Sequence, residues 1–168
     1  MRRCLLALLI LAGASAAAAE PPACEGLEAG PSLTVARVLD GETLLLHDGT
    51  ELRLVGALAP RASDAGAVPQ AWPSEVAARA ELEALALGKT IEIAFGGERQ
   101  DRYGRHLGHA FIASEGAEKV WLQGQMLRLG LARAYTSPLN RKCAAALLAA
   151  EATARNAGLG LWGEAAYR

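Results

Sequence analysis

Two Asp-Gly pairs, Asp40-Gly41 and Asp48-Gly49, cut residues 33–55 into three short segments, and this punctuation constrains the fold more than any other feature of the chain. The segments are Leu33–Val38, Thr43–His47 and Glu51–Val55, all rich in aliphatic or β-branched residues. Glycine adopts positive φ without steric penalty and Asp-Gly suits tight hairpin turns, so the three read as consecutive antiparallel strands. An Ala-, Gly- and Pro-rich loop follows from Ala59 to Pro73. Ser74–Leu87 then predicts a helix, with Ser74 as N-cap and Gly88 as stop. Lys89–Phe95 alternates as a fourth strand, and His106–Ala113 is a fifth after the turn Asp101-Arg102-Tyr103-Gly104. Val120–Leu129 predicts a second helix ending at Gly130. Ser137-Pro138 opens a third, which runs to about Asn156 and stops at Gly158.

Three strands, a helix, two strands and two helices predict an α+β chain: a five-stranded OB-type Greek-key barrel with three helices. A sandwich would need about seven strands, and a parallel sheet would need helices between successive strands.

The first residues carry a different signal. Met1-Arg2-Arg3 precedes the apolar run Cys4–Ala12 and an alanine-rich stretch ending at Ala19, the pattern of a secretory signal peptide over residues 1–19. The run is too short to span a bilayer, which takes about 20 residues, so the mature chain is expected to lack a transmembrane segment. We expect a single monomeric domain over residues 20–168 with its core at about 33–163, exported to the periplasm or the medium. Removing the signal leaves 15 Lys and Arg against 18 Asp and Glu, so nucleic acid would have to bind a local basic cluster rather than an overall positive field. Two cysteines survive, Cys24 and Cys143. In an oxidising compartment they are expected to pair, closing a loop that stabilises the fold by roughly 4 to 5 kcal/mol on the chain-entropy argument. Two buried free thiols are the alternative.

Several segments in order carry a more specific signal. Val38-Leu39-Asp40-Gly41-Glu42-Thr43, Leu52–Pro60, Asp101-Arg102-Tyr103-Gly104-Arg105, Val120–Tyr135 and Leu159-Gly160-Leu161-Trp162 together resemble the staphylococcal nuclease (thermonuclease) family. The resemblance implies an OB-type nuclease fold and calcium-dependent phosphodiester hydrolysis. In that family an aspartate of the first hairpin and one of the third-strand segment hold calcium, a glutamate activates water, and two arginines hold the phosphate. The chemistry has physical reasons: calcium takes six to eight hard oxygens, and a phosphodiester anion is attacked only when its charge is neutralised.

Carried across residue by residue, the site is divided. Arg53 and Arg105 stand at the phosphate-holding positions, and Tyr103 and Tyr135 resemble aromatic residues that flank the nucleotide. Glu42 replaces the first aspartate, with Asp40 keeping an acid two residues earlier. Leu58 replaces the second aspartate, and Arg61 replaces the catalytic glutamate. Glu42 and Asp40 are thus weak metal candidates, and the changes shift the site by three positive charges. The expected outcome is a degenerate nuclease-like domain with no resident cofactor, whose Arg53, Arg61 and Arg105 cluster binds phosphate, nucleotide or nucleic acid. A purely structural role for Arg53 and Arg105, paired with Glu42 and Asp101, stands beside it. Calcium returns only if the family activity survives, for instance with Asp64 of the long loop supplying the missing acid. A protein-interaction scaffold is a third class.

His106 and His109 lie three residues apart and point to opposite faces of a strand, so with His47 they read as core or surface histidines rather than zinc ligands. Trp72, Trp121 and Trp162 read as packing residues, as does the alanine stripe Ala144–Ala154.

Overall fold

The computed structural model describes residues 24–61, 72–114 and 117–167. The expected signal peptide and Asp64 lie outside them. The elements run β1 (Glu28–Asp40), β2 (Thr43–Leu46), β3 (Glu51–Leu54), β4 (Ala57–Leu58), α1 (Pro73–Ala86), β5 (Thr90–Phe95), β6 (His106–Ser114), β7 (Ala117–Trp121), α2 (Leu122–Arg128), β8 (Arg133–Ala134) and α3 (Ala144–Ala157).

One long strand organises the sheet. The first half of β1 pairs antiparallel with β5, from Glu28 opposite Phe95 to Thr34 opposite Thr90. Its second half pairs with β2, from Val35 opposite Leu46 to Asp40 opposite Thr43. β2 pairs with β3, β3 runs parallel beside β6, and β6 returns antiparallel to β5. The pairings β1–β2–β3–β6–β5–β1 therefore form a closed ring of five strands, the five that the sequence predicts. Closure leaves no free edge among those strands. Inward-facing Val35, Val38, Leu44, Leu46, Leu52, Leu54, Ile91 and Ile93 fill the ring, and α1 caps it with Ala78, Leu82 and Ala86.

The differences from the sequence reading have local causes. β1 starts at Glu28, five residues earlier than expected, because a register irregularity between Ala29 and Ser32 accommodates Pro31, which cannot donate to the ladder. Helix α1 is N-capped by Trp72, not Ser74. Pro73 takes the first turn, where a missing N–H costs nothing. Val120 and Trp121 belong to β7 rather than to a helix, paired with Ile112 and Phe111, since a β-branched and an aromatic side chain fit a cross-strand site well. The third helix begins at Ala144, not Ser137, because Ser137–Asn140 closes a tight turn and Cys143 is held with φ 64° by its disulfide neighbourhood. The two-residue strands β4 and β8 pair with each other and are too short to show a period. No helix among the described residues is long and apolar enough to cross a membrane.

The expected disulfide is present. Cys24 and Cys143 are bonded with Cα atoms 4.6 Å apart, which ties the entry of β1 to the start of α3. Beside it His109, on β6, is only 2 % exposed.

Burial depresses the His109 imidazole from 6.5 to about 4, so the folded protein keeps it neutral where the unfolded chain takes up a proton. A folded pKa below the unfolded one means that stability is complete above about pH 6.5 and falls as pH drops toward 4, by roughly 3 kcal/mol at the lower end. Denaturant unfolding of the wild type and His109→Gln between pH 4 and 7 should show this slope in the wild type alone. Parallel curves would contradict it.

Candidate functional site

The site is built on the β1–β2 turn. Gly41 has no room for a side chain: a Cβ there would stand 2.7 Å from the Ala59 Cβ and 2.8 Å from that of Ala78. The turn therefore presses against α1 and the segment after β4. Within it, Asp40 Oδ1 accepts the Glu42 N–H at 2.8 Å, which fixes the direction of the next side chain.

That side chain, Glu42, is completely buried. Its Oε2 accepts the Ala59 N–H at 3.0 Å. Its Oε1 forms an ion pair with Arg53 Nη2 at 2.8 Å and accepts a short hydrogen bond from Arg61 Nη2. The same Arg61 nitrogen reaches Asp40 Oδ2 at 3.3 Å. One guanidinium thus bridges the two carboxylates singled out as metal candidates. Burial pushes the Glu42 pKa above the ordinary value, while Arg53, Arg61 and the Ala59 amide pull against that rise.

Arg105 is engaged elsewhere. Its Nε donates to Asp101 Oδ2 at 2.7 Å, and Nη2 completes the ion pair with the same oxygen at 2.7 Å. Asp101 Oδ1 meanwhile accepts the Tyr103 and Arg105 amides at 2.9 and 3.1 Å, which closes the turn. Partial burial pushes the Asp101 carboxyl up, but Arg105 and the two amides together outweigh it and hold the pKa below the usual range.

A cavity of about 190 Å³ opens beside this network. Its walls include Arg53, Leu58, Asp101, Tyr135, Ser137 and Asn140. Arg105 instead lines a separate open groove with Tyr103 and His106. The structure therefore brings Arg53 and Arg61 together on Glu42, places Leu58 in the Arg53 cavity, and sets Arg105 apart. Each arginine has a carboxylate partner, so three guanidinium groups face Glu42, Asp40 and Asp101 in a charge-balanced arrangement. Tyr135 is exposed at the cavity rim. Tyr103 is exposed too, with the Arg102 and Arg105 guanidinium carbons 4.8 and 5.5 Å from its ring centre. These cation–π contacts leave the ring open to solvent.

His106 pairs with Gln100 at the surface and His109 is in the core, as their spacing implies. Two features escaped sequence reading. Ser137 and Asn140 reach the cavity only because their segment forms a turn rather than a helix. His109 lies beside Cys24 and Cys143, with candidate ligand atoms of the three residues all within 4.8 Å of one another. No linear spacing connects residues 24, 109 and 143.

Compared with known families, residues 51–164, more than half of the chain, match the family described as staphylococcal nuclease homologue. The match starts at β3, so it takes in Arg53, Leu58, Arg61 and Arg105 but not Asp40 or Glu42. A comparison with curated proteins gave no match.

Removing a buried carboxylate that serves two cations leaves Arg53 without its partner and Arg61 with Asp40 alone, at a cost of about 3 kcal/mol. Urea unfolding should show that loss for Glu42→Gln. It should show a smaller loss for Arg61→Met, because Arg61 is partly exposed and Glu42 keeps Arg53. Equal losses in the two variants would mean that Glu42 is not the hub.

Proposed function

We propose that this chain, which belongs to the staphylococcal nuclease homologue family, is an exported, catalytically degenerate nuclease-type domain that holds a phosphate-bearing ligand without calcium. Its place of action is the periplasm or the medium, and its ligand is a nucleotide, a free phosphate group or a nucleic-acid terminus.

The observation that carries this reading is the Arg61 guanidinium seated on Glu42 and Asp40. The family's cofactor is a hard divalent cation that needs six or more oxygen donors. Here the two carboxylates already accept from a side-chain cation, and Leu58 offers hydrocarbon where a third oxygen donor would be required. A calcium ion brought to this place would meet Arg61 and Arg53 at close range, where like charges repel strongly in a partly desolvated setting. The donor set does not fit calcium, and Arg61 stands where the resemblance places the water-activating glutamate.

The remaining chemistry is recognition. Arg53 uses one nitrogen on Glu42, and its fork has further N–H donors beside a cavity bordered by Tyr135, Ser137 and Asn140. A guanidinium fork suits phosphate oxygens, hydroxyl and amide groups suit ester and sugar oxygens, and an exposed tyrosine suits a base. The carboxylates opposite the arginines keep the affinity modest.

Incubating the purified mature protein with single-stranded DNA and RNA, with and without calcium, tests the loss of catalysis, and no chelator-sensitive cleavage is expected. Titration with nucleoside phosphates should give weak, salt-sensitive, calcium-independent binding that drops about tenfold in Arg53→Ala. Robust calcium-dependent cleavage would overturn the proposal and restore an active phosphodiesterase. Binding that is unchanged in Arg53→Ala would reduce Arg53 to a structural role.

A further inference from the structure

The disulfide and the buried histidine beside it form a group that the nuclease-type site does not use. We propose that Cys24, Cys143 and His109 are a redox-gated site for a tetrahedral, thiolate-preferring divalent cation of the zinc type, closed by oxidation and opened by reduction.

Four observations converge on it. One candidate ligand atom from each residue falls within a span of 4.8 Å. Zinc–sulfur bonds of about 2.3 Å and zinc–nitrogen bonds of about 2.0 Å place tetrahedral donors roughly 3.5 to 4 Å apart, so small movements would bring the three around one ion. His109 Nδ1 is buried and has no hydrogen-bond partner among the described residues, with the side chain only 2 % exposed. An orphaned polar atom this deep is uncommon and calls for a ligand or a specific reason. Gly96 packs closely at the same junction: a Cβ there would stand 3.5 Å from His109 Nε2 and 3.1 Å from side-chain atoms of Leu27 and Lys142, so the ring sits beside the residue that precedes Cys143. Cys24 and Cys143 are brought together by the β1 entry and the α3 start, and Lys142 Nζ donates to Gly26 O at 2.5 Å across the same junction.

The gate is the S–S bond. With both sulfurs bonded to each other, neither is a thiolate. A dithiol reductant supplies two electrons and becomes a cyclic disulfide, and two protons end on Cys24 and Cys143. The cation then displaces both protons, and a lone pair from His109 completes three protein ligands, with the fourth position left to water. Two thiolates and one divalent ion sum to zero charge, which suits a site with a buried His109 and two half-buried cysteines. Disulfide and metal are thus alternative staples for one junction.

The test uses the full chain in a Cys4→Ser background, so that only these two thiols remain, reduced anaerobically with a phosphine that does not compete for metal. Adding Co2+ alone should give a thiolate-to-cobalt charge-transfer band and intense tetrahedral visible bands at one ion per chain. Neither should appear in the oxidised protein. Affinity should fall at least about tenfold in His109→Gln. Should that variant fail to fold, NMR of the wild type replaces it: Zn2+ should shift the His109 ring nitrogens in the reduced protein only. If reduction itself unfolds the chain, Zn2+ alone should refold it. Absence of a tetrahedral spectrum, unchanged affinity in a folded His109→Gln variant, unmoved His109 resonances, or failure to refold would each overturn the proposal.

Discussion

A fully buried carboxylate between two guanidinium groups is the interaction on which the rest of this molecule turns. Glu42 ties three parts of the chain together: the β1–β2 turn that carries it, Arg53 of β3, and Ala59 and Arg61 beyond β4. An unpaired ion at this depth would cost several kcal/mol, so the carboxylate and its partners hold one another in place. The cost also explains the tight backbone around it. Only glycine at position 41 lets the turn approach Ala59 and Ala78 this closely over the buried Glu42.

The architecture directs this network as much as the side chains do. A closed five-stranded ring puts the β1–β2 turn and the β3–β4 corner at one end of the barrel. Asp101 and Tyr135 reach the same cavity from the β5–β6 turn and the segment after β8. In this chain Leu58 and Arg61 follow that corner, and the Arg61 guanidinium pairs with both Glu42 and Asp40.

Much of this was legible in the sequence because it is local. Asp-Gly turns, alternating segments and the helix stops at Gly88 and Gly158 delimit the ring and two of the helices. The positions of Leu58 and Arg61 just after the third strand are likewise local and readable from their flanking segments. The parts that were not legible depend on distant pairing. Val120 and Trp121 read as helical in isolation and become strand only opposite Ile112 and Phe111. Ser137 to Arg141 reads as a helix start, yet the disulfide at Cys143 and the turn at Asn140 delay it. The three arginines read as a cluster. Their separation, with Arg105 drawn to Asp101 and only Arg53 in the cavity, follows from carboxylates whose positions no one-dimensional pattern supplies.

The account stands or falls on whether Arg61 excludes a metal ion. Calorimetric titration of calcium into the wild type and into an Arg61→Glu, Leu58→Asp double variant measures this directly. The account predicts no binding heat in the wild type and a calcium site in the variant, where two oxygen donors replace a cation and a hydrocarbon. Stoichiometric calcium binding by the wild type, with Arg61 in place, would contradict it.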